Sequence, residues 1–206
     1  MKKILLILGF LFSLSFALTF PVDIRDCKII AGKFVGVTSW FSTQRAYGLH
    51  KSIDLPVPVG TPALAPETGE ILMGHEYPKY DSTLKIWRSG YGNWVMVKTY
   101  TLKKTLSGKT VKIYGDSYLI AHLNIPAGLE NGQDVGEGNV IGYSGSTGIV
   151  NEKGIFKMAP HIHFEVRDSK GMKKNVTKKF GDLVKSYLGS TDVNAFVMLG
   201  GGSNNN

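Results

Sequence analysis

The sequence predicts a mainly β protein with one domain's worth of core. Its apolar stretches are short and rich in β-branched and aromatic residues, and glycine or proline turns separate them. A helical spacing of apolar residues appears only near the C-terminus. With 206 residues, 43% of them hydrophobic, the chain can bury a sizeable core, and no composition shift marks a second domain.

Taken in order, Met1-Lys2-Lys3 precedes an apolar block from Ile4 to Phe16 and the small-x-small run Ser15-Phe16-Ala17. This pattern predicts a secretory signal over residues 1–17, cleaved after Ala17. The alternative, a retained anchor, meets the difficulty that the block is shorter than the roughly 20 apolar residues a membrane span needs. No later stretch is long enough either, so no stable membrane span is expected after signal removal. Residues 18–34 read as a short leader without periodicity, and a β pattern starts at Val35, Val37, Trp40 and Phe41. Residues 42–48 read as a loop that delivers Leu49-His50-Lys51-Ser52-Ile53-Asp54-Leu55. Pro56 and Pro58 argue against a helix there, so the segment is expected to be extended.

Pro56 to Pro66 reads as loop and edge strand, and Gly69 to Met73 as a strand. His75 follows at the start of an irregular polar segment and is expected to be an ordinary surface histidine. Gly90-Tyr91-Gly92-Asn93 is a turn feeding the strand Trp94–Val97. Thr99 to Ser117 forms two alternating arms around Ser107-Gly108, which predicts a long projecting hairpin. Tyr118–Leu123 is a buried-strand pattern carrying His122. The irregularly spaced glycines from Gly128 to Gly148 fit short strands joined by turns; without a phosphate-loop lysine they do not make a nucleotide site. Phe180, Leu183, Val184, Tyr187 and Leu188 predict a C-terminal helix within an extension over residues 169–199, with a flexible tail over 200–206.

The chemistry concentrates at Pro160-His161-Ile162-His163-Phe164-Glu165-Val166. In a strand, residues two apart share a face, so His161 and His163 point into one space while Ile162 and Phe164 pack behind. The same even spacing puts His50 and Asp54 on one face. Two neutral imidazoles and a carboxylate, His50, Asp54 and His163, form a donor set suited to one tetrahedral Zn2+ with a position left for water. His122 and His161 remain for proton transfer. Taken singly, each histidine also reads as a structural residue, and a lone imidazole on an apolar strand such as His122 reads first as a satisfied core group.

Several motifs in order resolve that choice. Val37 to Phe41, His50-x-x-x-Asp54, Pro58 to Pro62, Tyr91-Gly92-Asn93, Ala121-His122-Leu123, Val140 to Gly145 and Pro160 to Val166 closely resemble the lysostaphin and LytM-like zinc metallopeptidases. The resemblance covers residues 35–168, the expected peptidase domain. It implies a compact antiparallel β-sheet platform with a substrate groove, zinc on His50, Asp54 and His163, and His122 and His161 beside the reacting carbonyl. It also implies peptidoglycan peptide stems or cross-bridges as substrate. Three departures concern groove shape more than chemistry. Ser52 stands where the family usually has glycine, Ile120 where a tyrosine often precedes the Ala-His pair, and the 99–117 hairpin looks like an insertion. Trp40, Tyr91 and Trp94 are candidate groove residues, with a core role open for each.

Composition bounds the remaining classes. Removal of residues 1–17 takes away Lys2 and Lys3 and lowers the formal charge from +8 to +6, a balance that favours polyanionic envelope polymers. Nucleic acid is a poor alternative because the basic residues are scattered. Cys27 is the single cysteine, which excludes an internal disulfide and a cysteine-based metal site. The expected protein is an exported monomer, in the periplasm or outside the cell, hydrolysing peptidoglycan peptides with zinc. The competing expectation is a non-catalytic relative that regulates another wall hydrolase.

Overall fold

The computed structural model describes residues 19–23, 29–30, 33–34, 41–45, 48–125, 128–155 and 160–175. The expected signal, Cys27, Trp40, the C-terminal helix and the tail lie outside the described residues. Every regular element described is a strand, as the short β-branched runs require. In chain order these are β1 (Ile29–Ile30), β2 (Lys33–Phe34), β3 (Thr43–Arg45), β4 (Gly48–His50), β5 (Ile53–Leu55), β6 (Pro62–Leu64), β7 (Gly69–Glu76) and β8 (Lys79–Asp81). They continue with β9 (Ile86–Arg88), β10 (Gly92–Lys104), β11 (Thr110–Ala121), β12 (Leu123–Asn124), β13 (Asp134–Val135), β14 (Val140–Ser144), β15 (Ile162–Arg167) and β16 (Lys173–Lys174).

The main sheet has seven strands in the order β13-β7-β10-β11-β15-β16, with β5 also paired to β15, and every ladder is antiparallel. Strand β15 is the pivot. One of its edges meets β11; along the other, Ile162 to Phe164 meet β5 and Val166 to Arg167 meet β16. A second sheet, β12-β14-β6, packs alongside. Ile53, Leu55, Val95, Val97, Ile120, Leu123, Ile141, Ile162 and Phe164 form the core with Tyr118. Phe164 stacks on Tyr118 with ring centroids 6.3 Å apart. Alternation along β15 therefore does what its sequence predicts: Ile162 and Phe164 turn inward, leaving the other face for chemistry.

Two expectations about residues 69–89 need correction. Strand β7 runs through His75 to Glu76, because His75 pairs with Asn93 on β10, and His75 Nδ1 donates to the side-chain oxygen Oδ1 of Asn93 at 2.5 Å. The polar segment after it is not wholly irregular: β8 and β9 form a small hairpin in which Tyr80 faces Trp87 at 5.7 Å. The leader is partly docked, since Val22 is buried in the core and the Leu64 amide donates to the Pro21 carbonyl at 2.8 Å.

Candidate active site

Antiparallel register brings the site together. Asp54 lies opposite His163 across the β5–β15 ladder, and His163 lies opposite Ala121 across β15–β11, so residue 122 arrives beside them. Strand β4 ends on His50, which pairs with Thr43. Asp54 and His163, 109 residues apart in sequence, thus become neighbours within one strand spacing.

His50 Nε2 lies 3.2 Å from Asp54 Oδ1, His163 Nδ1 lies 2.9 Å from the same oxygen, and the two nitrogens are 3.4 Å apart. A tetrahedral shell with metal–ligand bonds of about 2.0–2.1 Å has ligand atoms roughly 3.3 Å from one another, so the triangle has the size one divalent ion needs. All three residues are buried, and their donor set is the only group with that convergence identified among the described residues. Burial pushes the Asp54 carboxyl up, but hydrogen bonds with His163 and His50 outweigh it and hold the group well below its ordinary value. The carboxylate is therefore ionised, as a metal ligand must be.

His163 is oriented from its far side. Its Nε2 lies 3.0 Å from Glu165 Oε1, and a proton on Nε2 leaves Nδ1 free to bind an ion. Glu165 is fully buried on a strand of apolar neighbours. Arg167 donates to its Oε2 through Nε at 3.0 Å and Nη2 at 2.8 Å, Tyr91 Oη donates to Oε1 at 2.7 Å, and Lys173 pairs with the same oxygen. Burial raises the Glu165 carboxyl, yet the His163 and Lys173 hydrogen bonds keep it well below the usual carboxylate range. A buried anion fully satisfied in this way fixes the imidazole that it holds.

His122 and His161 form a second imidazole pair. Their ring centroids are 4.7 Å apart in a T-shaped arrangement, and His122 lies 5.6 Å from His163. His161 Nε2 is 3.9 Å from Asp54 Oδ1. The uninterrupted strand expected over residues 118–123 breaks at residue 122, which adopts φ 65°, a conformation costly for a residue with a Cβ. Its amide bonds the Tyr91 carbonyl at 2.9 Å, and Nδ1 donates to the Thr147 carbonyl at 2.8 Å. That bond fixes the tautomer: Nε2 carries the lone pair. Burial, then the neighbouring His161 and His163, lower its pKa to about 3, so the ring is neutral.

The acceptor is held by backbone contact. Gly92 and Gly148, both at positive φ, meet face to face, and a Cβ on Gly92 would stand 2.2 Å from the Thr147 oxygen that holds His122. Above these groups is a cleft of about 190 Å³, lined by His50, Ser52, Tyr91, His122, His163 and Lys173 among others.

Residues 48–176 match the family model described as "Peptidase family M23". The chain belongs to peptidase family M23. Within the curated proteins, the peptidoglycan DD-endopeptidase ShyA of Vibrio cholerae is 26% identical over 132 residues, covering 62% of this chain and 23% of the relative. The chain thus spans less than a quarter of that relative's length. Among solved structures, a zinc containing peptidase from Vibrio cholerae shares the fold with a TM-score of 0.51, at 18% identity over 79% of this chain and 40% of the other. The catalytic domain of lysostaphin from Staphylococcus simulans is 21% identical over 70% of this chain and 88% of its own, with a TM-score of 0.42.

In this M23 domain His50, His122 and His163 line one cleft together with Tyr91, and the other two sequence-selected side chains lie against them, Asp54 on His163 and His161 on His122. His75 stands on the exposed end of β7. Trp94 packs its indole over Gly74 on β7. Glu165 and Thr147 were not selected from the sequence. Glu165 carried a signal: it follows His163 by two on the same strand face, a carboxylate inside a run of buried residues. Thr147 carried none, because it contributes a backbone carbonyl.

Proposed function

We propose that this M23 peptidase is an exported zinc endopeptidase that hydrolyses peptide cross-links of bacterial peptidoglycan. The observation carrying the reading is the triangle of His50, Asp54 and His163 donors, sized for one tetrahedral ion, with a neutral His122 beside it. Zinc held there supplies Lewis-acid polarisation to water and to the scissile carbonyl. His122 Nε2 takes a proton from the attacking water, its Nδ1–H held by Thr147 throughout. His161 stabilises the oxyanion. As the C–N bond breaks and the new C–O bond persists, the proton on His122 passes to the leaving amine, so no covalent enzyme intermediate is needed.

A D-alanyl to diaminopimelate cross-link is the proposed bond, a choice supported by the curated relative named a DD-endopeptidase rather than by groove geometry. Such a substrate lies outside the cytoplasm, in agreement with reading residues 1–17 as a signal. Digestion of purified peptidoglycan with and without a chelator, with mass spectrometry of the soluble products and metal analysis of the protein, tests the reading. Muropeptides split at a D,D bond by the metal-loaded chain alone are expected. A chain that holds zinc yet releases nothing would have a binding or regulatory role instead.

A further inference from the structure

The extended segment that carries two metal-binding candidates carries a third polar side chain on the same face. Alternation groups residues 50, 52 and 54. The structure keeps that grouping: His50, Ser52 and Asp54 are 6%, 1% and 5% exposed, while Lys51 between them faces out. A glycine at residue 52 would place nothing between the ligands; serine places a hydroxyl there. Ser52 Oγ contacts His50 Nε2 and lies 3.3 Å from His163 Nδ1. These are the same two nitrogens offered to an ion; the separation from His163 Nδ1 is that of adjacent ligands in a tetrahedral shell with bonds of about 2.0–2.1 Å, while the approach to His50 Nε2 is closer than that, so the hydroxyl has to swing away from His50 to join the ion.

The hydroxyl has a chemical reason to join the ion. Once both nitrogens give their lone pairs to a metal, neither accepts the Ser52 proton, and among the described residues the hydroxyl makes no other hydrogen bond. A buried hydroxyl without a partner is costly. Zinc accepts oxygen donors alongside imidazole, so the ion itself can satisfy this oxygen. We propose that Ser52 Oγ is a fourth protein donor to the metal, an inference that rests on His50, Asp54 and His163 being the other three. As a neutral, weakly basic donor it holds the position at which a catalytic zinc site otherwise stays open, and water or substrate displaces it.

Cobalt(II), added alone to the full chain, reads the coordination shell optically. The wild type is expected to bind one cobalt ion. Ser52→Cys is expected to add an intense near-ultraviolet thiolate-to-cobalt charge-transfer band. Ser52→Gly is expected to shift the visible bands and to weaken binding roughly tenfold in competition with a chelator. Cobalt bound to Ser52→Cys without that band, or Ser52→Gly with wild-type spectrum and affinity, overturns the proposal. Ser52→Gly keeps the test decisive if the cysteine variant does not fold, since it only removes atoms. A wild-type chain that takes up no cobalt overturns the three-ligand reading together with this one, so the two failures are distinguishable.

Discussion

Between Trp94 and Lys98, strand β10 lies between β7 and β11, and over Ser117 to Ala121 strand β11 lies between β10 and β15. Beyond the bulge at Thr99 the same two strands pair only with each other, out to the turn at 105–109. The rooted half buries Val95, Val97, Tyr118, Leu119, Ile120 and Ala121. The projecting half leaves Leu102, Leu106 and Ile113 exposed and is held by charges and rings. Lys98 sits 4.1 Å over the Tyr114 ring and Lys112 4.1 Å over Tyr100, while Lys112 Nζ reaches Glu70 at 2.7 Å and Asp134 at 3.0 Å. One ribbon thus has two stabilising regimes: apolar burial, which is insensitive to salt, and partly exposed electrostatics, which are not. The candidate site hangs from the buried half, where His122 follows Ala121.

The comparison breaks most sharply at the root. His122→Ala is expected to cost on the order of 10²-fold or more in wall hydrolysis while zinc stays bound, whereas His163→Ala loses the metal as well. Turbidity assays paired with metal analysis check this; full activity in His122→Ala sinks its role as base. Glu165→Ala leaves Arg167 and Lys173 without their buried anion and is expected to destabilise by about 3–5 kcal/mol, measured by urea unfolding. Gly92→Ala combines a positive φ with a collision against Thr147, so about 1 kcal/mol or more of stability should be lost, together with part of the activity. A variant with unchanged melting and rate would show that the Gly92–Gly148 approach is slack.

The projecting half should respond to conditions that leave the root alone. Hydrogen bonds from Lys112 hold the Glu70 and Asp134 carboxyls below their ordinary values. Lowered folded pKa values mean that this contribution is fully present above the ordinary carboxylate range near ~4 and fades as pH falls through the lowered values. Acid below that range, or high salt at neutral pH, is therefore expected to raise amide exchange in 100–114 by about fivefold or less, with 94–98 and 117–121 unaffected. Equal changes in both halves would erase the distinction.

The β class, the hairpin around Ser107-Gly108 and the grouping of His50 with Asp54 and of His161 with His163 were legible because alternation and turn chemistry are local; His122 entered only through the family resemblance. His50 and Asp54 share a face by even spacing, and His161 and His163 do the same, whatever the rest of the chain does. Three features needed the folded chain. Strand register alone sets Asp54 opposite His163 and His163 opposite Ala121, since sequence spacing does not state which strands become neighbours. The tautomer of His122 depends on a backbone carbonyl at residue 147, to which no side-chain pattern points. Whether Glu165 is an ordinary strand carboxylate or the buried anion orienting His163 depends on Arg167, Lys173 and Tyr91 closing around it. Sequence determined which groups could do the chemistry, because periodicity assigns faces; tertiary structure decided their protonation and aim, because those depend on distances between segments remote along the chain.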